Sequence, residues 1–237
     1  MNDKKNFENL KPFFRNPLNP KEMIALMQEI SSQYSSVFSS SFGKEDQILT
    51  HLIVKNKLPV KIFTIDTGRL FNETYSLHRR TNDYYKIKIK TYFPASDEAE
   101  DLINNKGPDS FFDSIENRKE CCEIRKVKPL KRAIDGHDVW FTGIRKTQSP
   151  DRAEMNIIEF DEQNNIIKIH PLLNWPDEEV EEFIKSNGVP CNILHDKGYP
   201  SIGCAPCTRA IQEGEDLRAG RWYWENGAKE CGLHAHK

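Results

Sequence analysis

What most constrains the fold of this chain is the regular exchange of strand-like and helix-like stretches along it. Met23, Ile24, Leu26, Met27 and Ile30 recur at helical spacing over residues 19–30, with Pro20 suited to a first turn. Val37 and Phe38 form the centre of a short strand, followed by the loop Ser39-Ser40-Ser41-Phe42-Gly43. A helix is predicted over 45–56, with Ile48, Leu49, Leu52 and Ile53 on one face. Residues 60–65 read as a buried strand ending in Asp66-Thr67-Gly68-Arg69. Next come a helix over 71–84, an alternating strand over 86–92, and a helix over 121–134 that Pro129 is expected to bend. The remaining elements are a buried strand over 139–144, a hairpin over 156–169 turning near Asn164, and an acidic amphipathic helix over 176–186. Such alternation predicts an α/β fold: a mostly parallel sheet with helices on both faces, in one domain spanning 1–237. Ligands of such sheets bind beyond the carboxyl ends of the strands, which brings 39–43, 66–69 and 142–152 to one rim.

Charge and hydropathy narrow the function classes. Basic and acidic residues nearly balance, at a net charge of −2, so the chain is no general binder of nucleic acid, and any anion must be held by a local pocket. The apolar runs are only strand-sized, which predicts no membrane span, and the polar start predicts no signal peptide. A cytoplasmic location is expected, where clustered cysteines bind metal or do chemistry rather than form structural disulfides.

Each candidate site has a plainer alternative. Ser40 and Gly43 lie in a strand-to-helix loop whose N–H groups suit an anion, although serine and glycine also serve as ordinary connectors. Thr67, Gly68 and Arg69 form either a turn or part of a nucleotide pocket. Arg145 and Arg152 follow a strand end and, with Arg218 and Arg221, offer cations for a doubly charged group; the alternative is a solvated basic face.

The six cysteines are unevenly placed. Cys121 and Cys122 are adjacent, Cys204 and Cys207 form a Cys-x-x-Cys pair, and Cys231 stands alone near His234. Two close pairs suit a four-thiolate site, and adjacent ligands suit an iron–sulfur cluster better than zinc. A thioredoxin-type redox pair requires a strand before Cys204, where the sequence is irregular. Cys191 has no partner spacing and reads as a small buried hydrophobe.

Together the motifs C-C-E-I-R-K, G-C-A-P-C-T-R, R-A-G-R-W and K-E-C-G-L-H resemble those of the iron–sulfur-containing assimilatory sulfonucleotide reductases, over nearly the whole chain from Ser39 onward. The resemblance implies an adenine-nucleotide alpha-hydrolase-like fold with a C-terminal tail over the active site, residues 190–237 carrying the cluster and the nucleophile. It implies a [4Fe-4S] cluster on Cys121, Cys122, Cys204 and Cys207. It further implies reduction of adenylyl sulfate to sulfite and AMP, with thioredoxin or a glutaredoxin-like protein as reductant and Cys231 as the nucleophile. By the same resemblance Lys126 links cluster and substrate, Arg152, Arg218, Arg221 and His234 grip the phosphosulfate or support the tail, and Ser40, Gly43 and Thr67 belong to the nucleotide cradle. Ser39–Gly43 resembles the loop of enzymes acting on the 3′-phosphorylated nucleotide, whereas Lys44-Glu45-Asp46 continues like the adenylyl-sulfate enzymes. Adenylyl sulfate is the expected substrate; phosphoadenylyl sulfate, or both, is the alternative. A zinc-stabilised nucleotide-binding module without catalysis is the rival class, and the oligomeric state is left open.

Overall fold

The computed structural model describes residues 19–225, together with residues 8 and 10. Its first helix, α1 (Pro20–Gln33), begins where Asn19 accepts hydrogen bonds from the Lys21 and Glu22 amides while Glu22 reaches back to the Asn19 N–H. There follow β1 (Ser36–Ser39), α2 (Lys44–Lys55), β2 (Val60–Ile65), α3 (Asn72–Tyr85), β3 (Lys90–Tyr92) and α4 (Ser96–Lys106). A helical segment then runs through α5 (Ile115–Cys122), a π turn (Glu123–Val127) and α6 (Lys128–Ile134). The chain continues with β4 (Val139–Phe141), β5 (Ile158–Asp161), β6 (Ile166–Ile169) and α7 (Asp177–Asn187).

Six strands form one sheet in the order β3-β2-β1-β4-β6-β5, parallel except for β5, which pairs antiparallel with β6. This is the expected α/β architecture. The chain moves outward one way from β1 through β2 to β3, and resumes at β4 on the other side of β1. Loops leaving β1 and β4 therefore diverge, and a crevice opens between their carboxyl ends.

Period-two alternation sorts the strand side chains onto two apolar layers. Phe38, Val139, Phe141, Ile167 and Ile169 pack with α1 and α2 residues such as Met27, Ile48 and Leu49 on one face. Val37, Phe63, Trp140 and Ile166 pack with Leu130, Ala133 and Ile134 of α6 on the other. Each fully buried aliphatic or aromatic side chain contributes about 1.5–3 kcal/mol relative to exposure, so these layers hold the rim in place. Lys168 interrupts the second layer; its ammonium pairs with Asp161 at 2.7 Å and lies over the Trp140 ring.

The structure differs locally from the periodicity. The strand read over 86–92 is reduced to Lys90–Tyr92, because Lys86 takes a left-handed conformation that caps α3. Helix α4 was not read from the sequence: only Leu102 of its residues is buried, so its apolar stripe is too thin to register. The helix expected over 121–134 runs on through Pro129, with a change of hydrogen bonding just ahead of it. The π turn precedes it, with the Lys128 N–H donating to Glu123 O, and the proline falls in the first turn of α6, where its missing N–H costs little. Among the described residues no helix is long and apolar enough to cross a membrane.

Candidate active site

The loop after β1 is shaped by a buried carboxylate. Asp46, in the first turn of α2, accepts hydrogen bonds from both the Ser41 N–H and the Ser41 hydroxyl, each at 2.6 Å. Burial pushes its carboxyl up to about 6, with the Ser41 hydrogen bonds opposing the shift. Ser40 is buried and accepts from the Phe42 N–H at 3.3 Å, while Gly43 opens α2. Phe42 adopts a positive φ of 62°, a costly choice for a bulky side chain, and is held there by burial against Leu77 and Ile89. The Ser41 donors thus serve Asp46, so the anion-binding capacity read for this loop rests on its other N–H groups and on the start of α2.

Across the crevice, Gly143 lies just past β4. A Cβ there would overlap Asp46 Oδ1 and stand 3.2 Å from the Asp46 N, so only glycine fits this approach. Arg145 is buried and clasped by Glu45 (Nε to Oε1, 2.7 Å), Asp177 (2.5 Å) and the Trp175 carbonyl (3.1 Å). Arg152 is also buried and donates to Gln148. Under this rim sits the fully buried His170, 2.6 Å from the Thr142 hydroxyl and 3.4 Å from Glu159; burial pushes its imidazole down.

The third rim segment follows β2. Gly68, at φ 73°, donates its N–H to Asp66, whose carboxylate also accepts from the Tyr75 hydroxyl. Thr67 is buried with its hydroxyl 3.2 Å from Cys204 Sγ. The Arg69 carbonyl accepts from the Ala205 N–H, Leu70 bridges Cys204, and the Arg69 guanidinium lies over the Phe111 ring. These contacts stitch the Cys-x-x-Cys segment to the rim. Thr208 in turn bridges Arg221, whose guanidinium passes over Gly203 and the Trp222 ring, with no partner for Nε among the described residues. Arg218 is buried and reaches Ser201 Oγ at 3.4 Å. Lys126, in the π turn, is half-buried. Cys231 and His234 lie outside the described residues.

Three residues important to this geometry escaped the sequence reading. Glu45 and Asp46 enter the sequence reading only within the Lys44-Glu45-Asp46 run that bears on the substrate, and Arg125 only within the motif C-C-E-I-R-K. Arg125 is buried and donates to the Thr67 carbonyl at 2.9 Å. Only their pairing with residues far along the chain reveals them.

The cysteines require a correction. Cys121, Cys122, Cys204 and Cys207 do gather, packing with Phe111, Leu102 and Trp222. Among the described residues, however, no group of three or more His, Cys, Asp or Glu side chains is arranged to hold a metal ion. Each of three sulfurs also has a polar neighbour outside the group: Cys204 the Thr67 hydroxyl, Cys121 the Arg125 guanidinium, and Cys122 Arg118. Burial pushes the Cys121 and Cys207 thiols up. The expected [4Fe-4S] cofactor, and with it the iron–sulfur and metal-binding character, is not borne out, and zinc gains no site among these residues either.

The profile of the phosphoadenosine phosphosulfate reductase domain matches residues 35–210, from β1 past the Cys-x-x-Cys segment. The chain belongs to this family. Within it, the protein is 48% identical to an adenosine 5′-phosphosulfate reductase of Allochromatium vinosum over 220 residues, covering 92% of this chain and 86% of the relative. It is likewise 48% identical to an adenosine 5′-phosphosulfate reductase of Rhizobium meliloti, over 84% of this chain and 76% of the relative. Among solved structures, this reductase-family chain superposes on the phosphoadenylyl-sulfate reductase of Candida auris, a phosphate complex, with a TM-score of 0.72 at 30% identity, covering 87% and 97% of the two chains. A Candida glabrata FMN adenylyltransferase shares the fold alone, at a TM-score of 0.54 and 17% identity.

Proposed function

We propose that this protein reduces adenylyl sulfate to sulfite and AMP, with a thioredoxin-like dithiol as reductant, as one domain acting in the cytoplasm. The observation that carries this reading is the 48% identity, over most of both chains, to relatives named as reductases of this nucleotide.

The nucleotide is assigned to the β1/β4 crevice, against Ser40, Gly43 and the 66–69 turn. Its phosphosulfate is assigned to Lys126, Arg152, Arg218 and Arg221, with Arg145 bracing the rim through Glu45. The Cys231 thiolate attacks the sulfur atom; an S–S bond forms, the S–O bond to phosphate breaks, and AMP leaves with that electron pair. Cys231 then carries an S-sulfo group. One thiolate of the reductant attacks Cys231 Sγ, expelling sulfite, and its second thiol resolves the mixed disulfide and restores the Cys231 thiol. The two electrons therefore come from the dithiol, and no metal enters the balance. Attack of an anionic thiolate on an anionic sulfonyl group needs fixed cations to offset the repulsion, which is the role given to the arginines and Lys126. His234 is assigned to the support of the Cys231 segment.

Substitution of Cys231 by Ser tests the reading: AMP binding is retained, while the sulfonate adduct and sulfite release are abolished. Appreciable sulfite formation by this variant refutes the nucleophile. Turnover of the 3′-phosphorylated nucleotide equal to or better than that of adenylyl sulfate overturns the substrate.

A further inference from the structure

One carboxylate at the sheet rim has donors on only one of its oxygens. Asp66, just past β2, is 7% exposed, and its Oδ1 accepts from both the Gly68 N–H at 2.8 Å and the Tyr75 hydroxyl at 2.9 Å. Among the described residues Oδ2 has no donor and the carboxylate no ion-pair partner, and that oxygen is open to solvent. Arg125, beside Gly68, gives its Nη1 to the Thr67 carbonyl instead. A buried carboxylate ordinarily gathers donors enough to offset its lost hydration. Tyr75 stands in α3, nine residues along; burial, and after it the bond to Asp66, push its hydroxyl up to about 12, so near pH 7 it remains a donor.

We propose that Asp66 Oδ2 accepts a hydrogen bond from a ribose hydroxyl of the bound nucleotide, and that Tyr75 is the positioning residue that turns this oxygen toward it. This rests on the assignment of the nucleotide to the crevice. An ionised carboxylate only accepts, so its partner is a donor, and a nucleoside 5′-phosphate offers ribose hydroxyls or a base amine. Position favours the sugar. Thr67, next in the chain, meets Cys204 through its hydroxyl, and the Arg221 guanidinium lies against Gly203, the residue before Cys204. Asp66 therefore stands close to a cation assigned to the phosphosulfate, level with the sugar that bears the phosphate rather than with the base at the far end. The turn at Gly68 needs one side-chain oxygen, which serine or asparagine also supplies. The second oxygen, and a tyrosine that fixes its direction, exceed what the turn requires.

The test titrates AMP, 2′-deoxy-AMP and 3′-deoxy-AMP into wild type, Asp66→Ser and Tyr75→Phe by calorimetry. Wild type is expected to bind at least one deoxynucleotide about tenfold or more weakly than AMP, the loss typical of a hydrogen bond to a charged group. In Asp66→Ser the hydroxyl still accepts from the Gly68 N–H, but the second oxygen is gone. That variant should bind AMP only as well as the penalised deoxynucleotide, within about threefold, with its affinity for the deoxynucleotide little changed. Tyr75→Phe frees the carboxylate to rotate and should cut the discrimination about threefold or more. A purely structural Asp66 weakens all three ligands in parallel and leaves the discrimination intact; that result overturns the proposal, as does equal binding of the three by wild type. Should Asp66→Ser bind none of them, Tyr75→Phe decides, and undiminished discrimination there counts against the proposal. If wild type does not bind AMP at all, the nucleotide assignment fails first, and the role of Asp66 falls with it.

Discussion

Replacing Gly143 by Ala probes the tightest approach in the crevice. The added Cβ overlaps Asp46 Oδ1, stands 3.1 Å from Glu45 Cβ, and stands 3.2 Å from the Asp46 N. The last two atoms belong to the first turn of α2 and cannot swing away like the end of a flexible side chain. Either β4 and α2 separate by a few tenths of an ångström, or Asp46 leaves Ser41. Separation is overpacking, at about 1–3 kcal/mol. Departure gives up hydrogen bonds to a charged group worth about 1.5–3 kcal/mol, partly offset because a buried charge regains water. Either way the net loss is about 1–3 kcal/mol, and in a domain of this size each kcal/mol lowers Tm by about 2–4 °C. Urea unfolding and AMP titration by calorimetry check this: a lower midpoint at unchanged m, with AMP affinity at least tenfold weaker. In an Asp46→Ala background the overlapping oxygen is gone, so Gly143→Ala should cost at least about 1 kcal/mol less. A Gly143→Ala protein with wild-type stability and affinity would refute the close approach of rim and loop.

Other expectations follow from the same geometry. Asp46 titrates near 6 folded and 3.8 unfolded, so between those values the folded state holds the extra proton and stability falls as pH rises; above about pH 6 the deficit is roughly 3 kcal/mol. Asp46→Asn should flatten that part of the stability–pH curve, and an unchanged slope between pH 4 and 6 contradicts the burial argument. Gly203→Ala places a Cβ against the Arg221 guanidinium, 2.5 Å from Cζ. Because Arg221 yields at its far end, unfolding should change by less than about 1 kcal/mol, while affinity for adenylyl sulfate drops; unaltered affinity removes Arg221 from the phosphosulfate site. The Cys231→Ser experiment completes the set.

The sheet was legible because period-two alternation and continuous apolar runs depend on nearest neighbours alone. Val37 against Phe38 and Trp140 against Phe141 already declare opposite faces. The rim was legible for the same reason, since it follows from strand ends. What the sequence withheld depends on partners far apart: Asp46 with Gly143, Arg118 with Glu225, Arg125 with the Thr67 carbonyl. No local pattern distinguishes these charged residues from solvated ones. The cysteine spacing misled in a related way. Two close pairs foretold convergence, which occurs, but spacing carries no information about whether the gathered sulfurs are arranged to hold a metal, and among the described residues they are not.

The π turn between Cys122 and Lys128 sets a phase relation between two functions of one helical rod. Below it, α6 is anchored to the sheet through Leu130, Ala133 and Ile134. Above it, α5 presents Arg118 and Cys121 to the base of the C-terminal segment. One residue corresponds to about 100° of helical rotation, so the surplus residue works as an angular offset between the anchored end and the presenting end. A chain trimmed by that one residue could keep all its helix, yet its upper half would point elsewhere.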